Sequence, residues 1–206
     1  MRRLFTLFAA ILALFFAPIA AFASPLVSPA WLSGRLQDNT VVIIDLRNKI
    51  DKGSYETFLE GHIPGAIHSD YLKDGWRVGR DGVVGLLPEA AQFQSLARRL
   101  GVSENSHVVV VPAGVSSTDF GSAARAYWTF KVFGHKNVSI LDGGFAAWRN
   151  FAPAEIEIGA LTAPESGNFV ARFNPEFYIG MSDVAAFATN PGQALLVDGR
   201  TDEQFY

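Results

Sequence analysis

Apolar residues cluster in three short runs, Val41–Ile44, Val108–Val111 and Val138–Leu141. Runs of this length with little alternation read as strands buried on both faces, the pattern of a parallel sheet. Helix-like segments lie between them. Ser28-Pro29-Ala30-Trp31-Leu32 has a capping serine followed by proline at the first helical position. Tyr55–Glu60 looks helical. Pro88–Leu100 opens on proline, carries Arg98 and Arg99 in its last turn and stops at Gly101. Gly121–Phe133 places Ala123, Tyr127, Phe130 and Phe133 along one side. A short helix with Phe145 and Trp148 follows Asp142-Gly143-Gly144, Ile67-His68 begins a short strand, and Tyr71–Gly85 reads as a charged, glycine-rich surface loop. Strands alternating with helices predict an α/β fold, a parallel sheet with helices on both faces.

The rhythm breaks at Phe151–Phe177, where Pro153, Pro164 and Pro175 stand among scattered glutamates as in a linker. It then resumes. Met181–Thr189 reads as a helix capped by Ser182, and Ala194–Val197 as a strand ending in Asp198-Gly199-Arg200. Ile43-Ile44-Asp45-Leu46-Arg47 has the same form, 153 residues earlier from Asp45 to Asp198. One domain length of offset predicts a tandem repeat. The expected division is a leader at 1–23, a complete domain at 24–152, a linker at 153–178, and the start of a second domain at 179–206.

Composition narrows the function. Arg2 and Arg3 precede the apolar run Leu4–Phe16, and Ala21-Phe22-Ala23 forms a small-residue cleavage site. This predicts a signal peptide cut after Ala23, a periplasmic or secreted protein, and no stable membrane insertion afterwards. Loss of the leader's two arginines takes the net charge from −3 to −5, which disfavours nucleic acid as a partner. The 206 residues include no cysteine, so thiol catalysis and zinc–thiolate sites have no ligand within them. The four histidines, at 62, 68, 107 and 135, lack metal-ligand spacing, and neither a metal nor a cofactor is expected.

The best-placed loop for chemistry is Ala113–Asp119, between a buried strand and a helix N-terminus, where open α/β sheets bind ligands. It holds Ser116, Ser117, Thr118 and Asp119, with no base beside the serines to activate them.

Asp45-x-Arg47, Gly61-His62-Ile63-Pro64-Gly65-Ala66, Gly134-His135-Lys136-Asn137-Val138 and Leu141-Asp142-Gly143-Gly144 with Trp148 stand in order along the chain. In these motifs the chain resembles tandem rhodanese-domain sulfurtransferases, the thiosulfate and 3-mercaptopyruvate sulfurtransferases. The resemblance implies that a Cys thiolate in the second domain takes sulfane sulfur from a small anionic donor as a persulfide. It then passes the sulfur to cyanide or a thiol. Pro112 or Ala113 stands where a catalytic copy would carry that Cys, so the first domain is expected to be silent and the 206-residue chain inactive by itself. One repeat length beyond Ala113 places the thiol near position 266. The resemblance makes Arg200 a donor-binding residue, and His62, with Asp51 as an acidic partner, a candidate contributor at the domain interface. The plainer reading of His62 is a turn histidine bonded to backbone. Asp45 and Arg47, with no thiol to serve in this domain, are expected to form a structural ion pair or a cap at the strand end. The alternative function is a non-catalytic rhodanese-like binding or regulatory module.

Overall fold

A computed structural model describes residues 23–206 apart from 153, 191, 193, 200 and 201. Its centre is β6 (His107–Val111), in which Val108–Val111 are all fully buried. Side chains alternate across a strand, so one run of valines feeds two cores. Val108 and Val110 pack with Phe93, Phe130, Phe133 and Trp76 on one face. Val109 and Val111 pack with Phe58, Ile63, Phe145 and Trp148 on the other.

Around β6 the sheet runs β1-β7-β6-β2-β3, with every pair parallel. β2 is Val41–Asp45, β3 is Ile67–His68 and β7 is Val138–Leu141. β1 is Leu26–Val27, an edge strand the pattern of apolar residues does not announce. α1 (Pro29–Ser33), α2 (Tyr55–Leu59) and α5 (Gly144–Asn150) contribute Leu32, Phe58, Phe145 and Trp148 to the second core. α3 (Ala90–Arg99) and α4 (Ser117–Val132) supply Phe93 and Phe130 to the first.

Several boundaries differ from expectation. Residues 71–85 are not simply a surface loop. Tyr71 and Trp76 are buried, and Trp76 donates its indole N–H to Ser69 Oγ at 2.9 Å. Asp81 and Gly82, both at positive φ, turn β4 (Val78–Arg80) into the antiparallel β5 (Val83–Leu86). An Asp-Gly pair suits such a hairpin because both central residues need the left-handed region. α3 starts two residues later than Pro88, because Glu89 is its cap and donates its N–H to Gln92 Oε1 at 2.9 Å. α4 starts four residues earlier than Gly121, because Ser116 and Asp119 form a capping box.

The segment from 154 to 178 lies along the domain as a strap. Gly167 N donates to Arg98 O, Arg172 N to Phe133 O and Asn174 N to Val132 O. The Val132 and Phe133 carbonyls are orphans at the end of α4, and the strap supplies their donors, while Arg98 O, which already accepts from Gly101 N, gains a second. Phe169 sits in the first core beside Phe93 and His135.

Farther on, α6 (Met181–Thr189) begins after Gly180, which places Ser182 inside the first turn rather than at the cap. Residues 194–199 form no strand, and Leu195 and Val197 are exposed. No neighbouring strand among the described residues meets them, and an unpaired strand leaves its backbone groups unsatisfied. α7 (Asp202–Phe205) closes the chain.

Candidate functional site at the carboxyl end of the sheet

β2, β6 and β7 end side by side and send three loops to one edge. The middle loop, Pro112–Ser116, packs on the turn before α5. Gly114 sits at φ +81°, and a Cβ there would run into the Gly143 carbonyl. Pro112 O accepts from Phe145 N at 2.8 Å, and Ala113 O accepts from Ala146 N at 3.0 Å. The free N–H groups at the start of α5 are therefore met by the loop's own carbonyls.

The loop's donors are also committed. Asp119, buried in the first turn of α4, accepts from Val115 N at 2.7 Å and Ser116 N at 3.1 Å, with Gly114 N at 3.4 Å. Ser116 Oγ accepts from Asp119 N in return, at 3.1 Å. A cradle of N–H groups at a helix N-terminus suits an external anion. Here an internal carboxylate fills it. Ser117 and Thr118 are exposed in the same turn.

Beside this loop, Asp45 and Arg47 form a buried ion pair, as expected. Arg47 Nη2 lies 2.8 Å from Asp45 Oδ2, and Nε donates to both Asp45 oxygens at 3.0 Å. Nη2 also donates to Gly61 O at 2.8 Å, and the guanidinium lies over the Phe145 ring at 4.0 Å. Asp51 caps the 3-10 turn Lys49–Asp51, accepting from Asn48 N and from Gly53 N at 2.8 Å. Burial raises its pKa above the ordinary 3.8, and the charges of Asp119 and Asp45 push the same way. Arg47 balances Asp45, so Asp51 and Asp119 leave this edge net negative. That field opposes a thiolate, which needs positive surroundings to form at neutral pH.

His62 is carried to a different place. Its ring is fully buried, stacks on Phe58 at 3.9 Å, and bonds Phe58 O through Nδ1 at 2.9 Å. With Nδ1 donating to that carbonyl, Nε2 faces Glu157 Oε2 at 3.9 Å and has no hydrogen-bond partner. His62 and Glu157 also exchange backbone bonds at 3.0 and 2.9 Å, and Glu157 Oε2 accepts from Gly65 N. The carboxylate opposite His62 is thus Glu157 of the strap, and no described contact joins His62 to Asp51. This is the geometry of a turn histidine that fixes the His-Ile-Pro-Gly corner. Nothing in the sequence spacing marks Glu157. The Ser116-x-x-Asp119 spacing does mark the capping box that closes the loop.

Of the other histidines, His68 bonds Arg47 O, His107 bonds Ser139 Oγ and His135 bonds Ser106 O. The described residues hold no cluster suited to a metal ion and no helix long and apolar enough to cross a membrane. Arg200 lies outside the described residues.

A parallel five-stranded sheet with helices on both faces, and a strand–loop–helix at its carboxyl edge, defines an α/β protein of the kind that handles ligands at that edge. The chain belongs to the rhodanese-like domain family, whose model matches residues 28–151. It is 34% identical over 185 residues to a 3-mercaptopyruvate sulfurtransferase of Escherichia coli, covering 87% of this chain and 62% of that protein. It is 35% identical over 134 residues to a thiosulfate sulfurtransferase of Gallus gallus, covering 62% of this chain and 45% of that one. The chain therefore spans less than two thirds of these relatives. Among solved structures, SseA of Escherichia coli, described as a 3-mercaptopyruvate sulfotransferase, matches with a TM-score of 0.74 at 31% identity. That match covers 89% of this chain and 68% of SseA.

Proposed function

We propose that this chain is the silent half of an exported sulfurtransferase. The enzyme moves sulfane sulfur from thiosulfate or 3-mercaptopyruvate to cyanide or a thiol, through a Cys persulfide on a second rhodanese-like domain. The division is a leader at 1–23, the non-catalytic domain at 24–152, a linker at 153–178 and the second domain from 179, with Arg200 holding the donor's anionic end. The names of the relatives and their greater length support this reading. The observation that carries it is the state of the first domain's loop: no thiol, and its anion cradle filled by Asp119. Such a domain serves as a scaffold beside a reacting centre. Val115, Phe120 and Ile50 stand exposed at this edge, which suits a surface that another body covers.

The test is thiocyanate formation from thiosulfate and cyanide by purified residues 24–206. No release above background is expected, and clear turnover refutes the silence of this domain. A second test reads the coding sequence beyond residue 206. A Cys opening a Gly/Ser/Thr-rich loop near position 266 supports the enzyme. A complete second domain without it makes the protein a binding module instead.

A further inference from the structure

A cleft of about 400 Å³ opens where the end of β2 meets α2, α5 and the strap, and the reading above gives it no role. Its floor is the buried Arg47 and its wall is Arg149 on α5, with Phe145 and Ile156 as apolar sides and Thr57 and Glu60 at α2. We propose that this cleft binds a small carboxylate bearing a short apolar branch, the two guanidiniums holding the carboxylate and Phe145 with Ile156 taking the branch.

The Arg47 guanidinium is fixed before any ligand arrives. Asp45 and Gly61 O use its Nε and Nη2 hydrogens, and the Phe145 ring covers one face at 4.0 Å. Nη1 has two hydrogens and only one long bond, 3.4 Å to Thr57 O. A rigid, largely desolvated guanidinium with an unspent donor loses little entropy on accepting a carboxylate oxygen. Arg149 is exposed and makes no ion pair among the described residues, so its charge is available to the second oxygen. Asp45 cancels the far field of Arg47, and Glu60 opposes Arg149. The attraction is therefore short-ranged, and a dissociation constant on the order of 1 mM follows for so small a ligand. The apolar sides favour a branched carboxylate over an inorganic oxyanion, which would lose hydration against them and bring no apolar surface to bury.

The test is a titration of the protein with sodium isobutyrate, acetate and sulfate at constant ionic strength, followed by 1H–15N NMR. Isobutyrate is expected to give saturable shifts at the amides of Gly61, Phe145 and Arg149. Acetate, lacking two methyl groups, is expected to bind about tenfold more weakly. Arg149→Gln is expected to weaken isobutyrate about tenfold, while Arg99→Gln, at a different cavity, leaves it unchanged. Ile156 is partly exposed, so Ile156→Ala should fold and should narrow the gap between isobutyrate and acetate. Absence of saturable shifts at these amides overturns the proposal. So does equal affinity for sulfate and isobutyrate, or binding indifferent to Arg149→Gln.

Discussion

Replacing Asp119 with alanine removes the carboxylate that organises the loop at the end of β6. Two short bonds are lost, from Val115 N and Ser116 N, and the 3.4 Å bond from Gly114 N goes with them. A hydrogen bond to a charged group contributes about 1.5–3 kcal/mol net when its donor is left buried. Gly114, Val115 and Ser116 are exposed, so water recovers part of that, and about 1 kcal/mol per short bond is a fairer figure. Loss of the acidic group from the first turn of α4 adds about 0.5 kcal/mol. The total is about 2.5 kcal/mol, or about 8 °C in Tm for a domain of this size. Urea and thermal unfolding followed by circular dichroism measure it directly. Asp119→Asn keeps one acceptor and should lose about half as much. Ser116→Ala removes only the reciprocal cap, at about 1 kcal/mol. The double variant Ser116→Ala/Asp119→Ala should cost less than the sum, because both belong to one capping box. A loss below about 0.5 kcal/mol for Asp119→Ala would refute the view that this carboxylate closes the cradle.

Arg47→Ala strands the Asp45 carboxylate in the interior, and a loss of about 3–5 kcal/mol in urea unfolding is expected; a near-neutral result would show that the pair is not desolvated. Trp76→Ala should cost about 3–5 kcal/mol by the same assay, whereas a mobile loop at 71–85 would tolerate it. Burial holds the pKa values of His107 and His135 below the ordinary 6.5, so the unfolded chain takes up protons first as pH falls. Stability is therefore fully present above about pH 6.5 and declines as pH falls below it, toward the lower folded values. The urea midpoint should drop between about pH 7.5 and pH 5.5, and His135→Gln should flatten that drop; an unchanged slope would contradict the assignment.

The sheet was legible because its strands have no polar face to obscure them. Four valines in a row admit few other readings, and Val138–Leu141 followed the same rule. The edge strand Leu26–Val27 was hidden, since two residues carry no period and only pairing with Ile140 and Leu141 defines them. The hairpin was readable from Asp81-Gly82 but was masked by the charged residues around it. Trp76 among lysine, aspartate and arginine is a reminder that one large apolar side chain can bury a polar stretch. At the site, a structural role for Asp45 and Arg47 was expected because the domain has no thiol for them to serve, and the buried ion pair bears it out. Glu157 did not, because 95 residues separate it from His62 and only the strap's path brings them together. The predicted strand at 194–197 shows the converse. A local pattern specifies a strand only when a partner is there to receive its hydrogen bonds.

The strap has a mechanical meaning. Its bonds to the domain follow one another in sequence. Asn174 and Arg172 hold the end of α4, Phe169 and Gly167 hold Val102 and Arg98, and Gly159 and Glu157 hold Leu59 and His62. A machine threading the chain from its carboxyl side would meet these anchors one by one rather than all in shear. The C-terminal end of α4 would be uncapped first, and Phe169 would then be drawn from between Phe93 and His135. The α3–α4 face would lose its packing while the His62 corner was still clasped. Under load, the two cores fed by one strand are expected to come apart in a fixed order.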